Sequence, residues 1–246
     1  MRIIYKISKG IHKDNCEDSA LVDTEILSVS EGIIENDSVE KICIGDGVGG
    51  NVGGNEASFF IMNKIAQMDK VSSIKDLKQK IVNLNDALIE YAKAIAGHEL
   101  MATTLTGLFF IGERTYLVQC GNTRAYILQG NFLKQITQDH TTYQWLISTG
   151  NDKAAEACNK SEIRGALGGG NKKYVDAMEV NEIFERVIPK MILLTSDGIH
   201  DFLTVDEIED ILTNDNYSSK EIVKRLVSSA VEKGSTDDCT VLLIYT

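Results

Sequence analysis

Four aspartates share one setting in this chain. Asp18 stands just before an apolar run, Asp46 just after one, Asp197 directly after MILLT, and Asp237 shortly before TVLLI. If those runs are neighbouring strands of one sheet, their ends gather the carboxylates along one edge. Two unit charges ~4 Å apart repel by about 4 kcal/mol at an effective dielectric of 20, so such a cluster demands a compensating cation. Oxygen ligands without His or Cys favour Mg²⁺ or Mn²⁺ over zinc. Each aspartate alone is more simply a turn or cap residue; the repetition points to a metal site.

Asp46 sits in the densest signal, residues 41–54, written KICIGDGVGGNVGG. Glycine tolerates positive φ and lets backbone approach a bound group, so glycines directly after a strand mark a ligand site. The stretch from Gly45 to Gly50 also matches G-x-G-x-x-G, but more glycines follow where a dinucleotide-binding unit needs a helix at once and then a second strand with an acid near its end. Glycines 168–170 lack the Lys-Ser/Thr of a phosphate-binding P-loop.

Strands are expected at residues 2–7 and 19–22, then at 25–30 and 41–45 as a pair around the turn 35–38, followed by the glycine loop. Asn55 can cap a first helix. Ile74, Leu77, Ile81, Leu84, Leu88, Tyr91 and Ile95 keep helical spacing for a second. Residues 103–111, 115–120, 124–128 and 132–136 read as an antiparallel meander, and 174–180 and 190–195 as further strands. Thr204 to Glu207 and Ser218 to Glu221 carry capping-box patterns, and a strand at 240–245 follows. Strands and helices come in runs, which predicts α+β with largely antiparallel sheets.

With 246 residues, 43% of them hydrophobic, the chain is long enough for one large domain, 1–246. A net charge of -11 argues against general binding to nucleic acid or anionic membrane and suits divalent cations. Cys16, Cys43, Cys120, Cys158 and Cys239 are odd in number and contain no CxxC, as expected of reduced thiols in a cytoplasmic protein. No signal peptide or membrane-length run is read.

Taken together, the motifs resemble the metal-dependent serine/threonine phosphatases of type 2C, in that family's order and along nearly the whole chain. Cys16-Glu17-Asp18-Ser19 resembles N-E-D-S, the stretch from Asp46 to Gly50 resembles D-G-x-G-G, and Ala102-Thr103-Thr104 resembles G-T-T. Gly121-Asn122-Thr123-Arg124 is similar to G-D-S-R, Thr137 to His140 to T-x-D-H, and Arg164 to Gly168 to R-x-L-G. Ser196-Asp197-Gly198-Ile199 and Ser235 to Thr240 resemble S-D-G-L and S-x-D-N-x-T.

The resemblance implies a four-layer α/β/β/α sandwich of two stacked antiparallel sheets flanked by helix pairs, with a variable flap at about 141–170. It implies two divalent cations, Mn²⁺ or Mg²⁺: Asp46 bridging both, the carbonyl of Gly47 on one, Asp197 and Asp237 on the other. Glu17 and Asp18 would orient water, and Asp201 would lie just behind the metals. Hydroxide shared by the cations would attack phosphorus in line, without a phosphoenzyme. The implied substrate is a phosphoprotein, in opposition to a Ser/Thr kinase.

Departures from the family pattern carry expectations of their own. Lys13 stands where relatives have a phosphate-gripping Arg, and is expected to help hold phosphate. Val48 replaces a His that some relatives use to protonate the leaving group. Asn122 replaces an Asp of a third metal site. His140 is expected to be structural, Arg164 to tie down its own segment, and Tyr143 and Trp145 to pack a helix, with a substrate groove as the alternative. A phosphatase-like binding or regulatory module that has lost catalysis is the alternative.

Overall fold

The computed structural model describes residues 1–48, 52–185 and 188–246. Gly49 and Gly50 of the glycine motif, with Asn51, lie outside the described residues. The N-terminal part holds strands β1 (Arg2–Ser8), β2 (Asp18–Val22), β3 (Glu25–Leu27), β4 (Ser30–Glu35) and β5 (Lys41–Asp46), then helices α1 (Gly54–Ala66) and α2 (Ile74–Lys93). Next come β6 (Ala102–Thr103), β7 (Leu105–Ile111), β8 (Arg114–Cys120), β9 (Arg124–Gln129) and β10 (Phe132–Gln135). Short helices α3 (Thr142–Ser148) and α4 (Asp152–Ala157), strand β11 (Leu167–Gly168) and a 3₁₀ turn, Lys172–Ala177, lead to β12 (Glu179–Glu185) and β13 (Met191–Thr195). The chain closes with α5 (Asp197–His200), α6 (Val205–Leu212), α7 (Ser219–Glu232) and β14 (Cys239–Tyr245).

Two six-stranded sheets result, in the orders β10-β9-β13-β14-β1-β4 and β12-β8-β7-β5-β2-β3, with a two-stranded β11-β6 pair beside them. Their strand pairings are antiparallel. Because side chains alternate along a strand, the apolar runs feed two layers each. Ile42 and Ile44 of β5 and Leu242 and Ile244 of β14 meet between the sheets. Cys43 points to the opposite side, where Ile61 and Ile65 of α1 and Leu77, Ile81 and Leu88 of α2 cover the second sheet. Val241 and Leu243 do the same on the first sheet under Ile208 of α6 and Leu226 of α7. The architecture is therefore the α/β/β/α sandwich, and both capping boxes form, at Thr204 with Glu207 and at Ser218 with Glu221.

Several local expectations are corrected. Residues 25–30 are not one strand paired with 41–45: the chain breaks at Ser28 and Val29 and crosses between sheets, so β3 pairs with β2 and β4 with β1. The meander is two hairpins, β7-β8 in one sheet and β9-β10 in the other, divided at Gly121, whose φ of 112 is open only to glycine. Helix α1 begins at Gly54 behind a left-handed Gly53, not at an Asn55 cap. Residues 172–177 form a 3₁₀ turn, and the strand begins only at Glu179.

Candidate metal centre

Antiparallel pairing brings the start of one strand beside the end of the next, and this gathers the four aspartates. Asp18 opens β2 and Asp46 closes β5, and the register sets them directly opposite. Asp197 follows β13 and Asp237 precedes β14, which pair with each other at the same end of the sandwich. The Asp46 backbone is clamped from β6: its amide donates to Thr104 Oγ1 at 2.9 Å, and its carbonyl accepts from Thr103 Oγ1 at 3.0 Å. The Gly47 amide donates to the Glu17 carbonyl at 3.0 Å. A Cβ on Gly47 would collide with the backbone of Gly54, so only glycine lets α1 close over the rim.

These acids are short of partners. Asp18 is 3% exposed; its Oδ2 accepts from Ser196 Oγ and Thr240 Oγ1, both at 2.7 Å, while its Oδ1 has no hydrogen-bond partner. Asp197 Oδ2 accepts from Asn122 Nδ2 at 2.9 Å, and its Oδ1 is likewise buried without a partner. Burial, then the charge of neighbouring aspartates, raises all three: Asp18 to about 7, Asp46 well above the usual carboxylate range, and Asp197 in the same direction. After burial, the charge of Asp197 does most to raise Asp46. Protonation is how crowded buried carboxylates relieve repulsion when a cation does not.

Lys13 sits among three carboxylates. Its ammonium is ion-paired with Asp237 Oδ1, with Asp238 Oδ2 at 3.0 Å and with Glu17 Oε2 at 3.0 Å, on the wall of a cleft of about 230 Å³ that Asp14, Asn15 and Asn55 also line. Burial alone would discharge this lysine, but the three carboxylates outweigh it and hold it charged. Asp238 is 1% exposed and also accepts from the amides of Gly10 and Glu17, both at 2.7 Å, so it pins the loop that carries Lys13.

Among the described residues no three His, Cys, Asp or Glu side chains form a finished ligand cage as they stand. Asp46 is buried beside Asp197, and Asp237 turns to Lys13. The donor set nevertheless fits hard divalent cations: oxygen only, strongly acidic, with two buried carboxylate oxygens left over.

Asp201 lies beyond Asp197, and burial followed by the charge of Asp197 raises it to about 6. His140 accepts at Nδ1 from the Gly121 amide at 3.2 Å, the structural role expected. The Arg164 amide donates to the His140 carbonyl at 2.7 Å, tying its segment down. Trp145 does not pack into the core: it is 46% exposed, with the Arg164 guanidinium 4.2 Å above its ring. Sequence reasoning missed the roles of Ser196, Thr240, Asn122 and Asp238, although all four lie inside the quoted motifs. Their partners lie far off in sequence, Ser196 and Thr240 on Asp18, Asn122 on Asp197 and Asp238 on the Gly10 and Glu17 amides, so no local signal marked them.

No family model matches the chain. It is similar to "Serine/threonine phosphatase stp" of Listeria welshimeri, 29% identical over 225 residues that span 87% of each chain. The crystal structure of Stp1 from Staphylococcus aureus superposes with a TM-score of 0.81, covering 99% of this chain and 94% of that one at 22% identity. The catalytic domain of serine/threonine protein phosphatase PstP, solved in complex with two manganese ions, superposes at 0.74 over 99% of this chain and 98% of that one, with 25% identity. By fold, by motif order and by these likenesses, the chain is similar to the type 2C metal-dependent serine/threonine phosphatases.

Proposed function

We propose that the chain is a metal-dependent phosphoric monoester hydrolase that removes phosphate from phosphoserine and phosphothreonine in proteins. The observation that carries this reading is the pair of buried, unpartnered carboxylate oxygens on Asp18 and Asp197, beside Asp46, at one rim of the sandwich. Asp46, the Gly47 carbonyl, Asp197 and Asp237 would hold two divalent cations, Mn²⁺ or Mg²⁺. When bound, those ions would make water more acidic and neutralise phosphate oxygens.

The chain's own groups supply the rest. Asp18 is fixed through Oδ2 by two hydroxyls, leaving Oδ1 to accept a hydrogen bond from the attacking water and aim it at phosphorus. Glu17 borders the same cleft and would orient a second water. Asn122 holds Asp197 in a fixed orientation. Direct attack by water also suits the thiols near the site: burial pushes Cys239 up to about 11 and raises Cys16 further, so neither offers a thiolate at neutral pH.

The substrate would be a phosphoprotein made by a Ser/Thr kinase, and the flap of residues 141–170, with half-exposed Trp145 and Ile147, would border its path. Free cysteines at five positions fit a reducing, cytoplasmic setting. Among the described residues no helix is long and apolar enough to cross a membrane. Hydrolysis of an aryl phosphate and of a phosphothreonine peptide, with Mn²⁺ and with chelator, beside Asp46→Asn, tests the reading. Turnover that needs the cation and falls at least 100-fold in Asp46→Asn supports it; metal-independent or absent turnover favours the non-catalytic binding module.

A further inference from the structure

The three aspartates proposed as ligands have different neighbours. Asp46 is buried beside Asp197, whereas Asp237 is paired with an ammonium group from the N-terminal loop. Asp237 Oδ1 meets both Lys13 Nζ and the Asp238 amide, the latter at 2.8 Å, so the oxygen is capped from two sides. A cation binding at that oxygen competes with the lysine.

Resting on the metal-centre reading above, we propose that Lys13 is a resident counter-cation at Asp237. A divalent ion displaces it, and the displaced ammonium turns to the substrate phosphate. Lys13 has two further anchors, Glu17 and buried Asp238, that take no part in the exchange, so it would stay at the rim when Asp237 is taken from it. Asp238 is fixed in turn by the Gly10 and Glu17 amides, which keeps the loop in place during the exchange. Lysine suits such a device: its charge is a compact point on a flexible stem, whereas a planar Arg fork would lock one geometry. Metal affinity at Asp237 is thereby lowered, and phosphate affinity gains from the same charge.

The two halves of the proposal pull in opposite directions on removing the charge, which a merely structural lysine would not do. Metal-stripped wild type, Lys13→Met and Lys9→Met are titrated with Mn²⁺ by calorimetry. Lys9 is a charge control: its ammonium donates to the Asp14 carbonyl, at 3.3 Å. The second Mn²⁺ should bind about tenfold tighter to Lys13→Met and change less than about twofold in Lys9→Met. KM for a phosphopeptide at saturating Mn²⁺ should rise severalfold in Lys13→Met alone. Equal or weaker Mn²⁺ binding in Lys13→Met overturns the proposal while leaving the metal centre standing; no Mn²⁺ binding by wild type overturns both.

Should Lys13→Met fail to fold, the wild type still decides. The side-chain ¹⁵N resonance of Lys13 should shift on Mg²⁺ addition with the midpoint of Mg²⁺ binding. A resonance that does not move while Mg²⁺ binds sinks the displacement.

Discussion

Asp18 faces Asp46 directly across the β2-β5 pairing, and two hydroxyls, from Ser196 and Thr240, hold the outer carboxylate oxygen of Asp18. The arrangement gives Asp18 a fixed orientation that an amide cannot reproduce, because only one of its two terminal atoms accepts hydrogen bonds. Asp18→Asn should lower kcat about 10- to 100-fold, the usual range for groups that orient a metal site, with KM little changed. A melting temperature close to wild type with intact kcat would remove Asp18 from the chemistry.

The raised carboxylates make stability depend on pH when cations are stripped. Folded-state pKa values above the unfolded value near 3.9 mean that their contribution is complete below about pH 4 and is lost as pH rises through the folded values, about 7 for Asp18. His200, buried and depressed by that burial, acts in the opposite sense, but only below about pH 6.5. Chelated protein should therefore melt lower at pH 8 than at pH 6.5, and Mn²⁺ should raise the melting temperature more at pH 8. Calorimetric scans at the two pH values check this; a chelated protein that is more stable at pH 8 contradicts it.

Asn122 donates to Asp197 in a buried setting, and Asn122→Asp would replace that donor with a further negative charge. Losing a hydrogen bond to a charged group costs about 1.5–3 kcal/mol. The variant should be destabilised by at least that much in chelator at pH 8, and Mn²⁺ should recover a larger part of the loss than it adds to wild type. Urea unfolding with and without Mn²⁺ reads both quantities.

Gly47 lies against the backbone of Gly54 at the start of α1, leaving no space for a methyl group. Overpacking of this kind typically costs about 1–3 kcal/mol, and the shift it forces falls on the carbonyl proposed to hold a cation. Gly47→Ala should lose both stability and Mn²⁺ affinity. Wild-type affinity in the alanine variant would show that the carbonyl is not a ligand.

Where the sequence was legible, the reason is periodicity and repetition. The helical spacing from Ile74 onward, the capping boxes at Thr204 and Ser218 and the strand-flanking aspartates are local patterns, and the structure carries each of them. Sheet membership is a different matter. Nothing local tells Ile26 in β3 from Ile33 in β4 as members of opposite sheets, since both lie in short half-apolar strands and the crossing at Ser28 and Val29 is set by tertiary packing. The ion pairs of Lys13 were illegible for a related reason: its partners Asp237 and Asp238 are more than 200 residues away in sequence and left no local signal.

Distant aspartates that meet to hold two ions predict where cations sit in this molecule. The most direct measurement is anomalous diffraction from a crystal grown with Mn²⁺. Two peaks about 3.5–4 Å apart are expected, with Asp46 touching both and Asp197 and Asp237 on one of them. Manganese bound elsewhere, or none at this rim at saturating concentration, would contradict it.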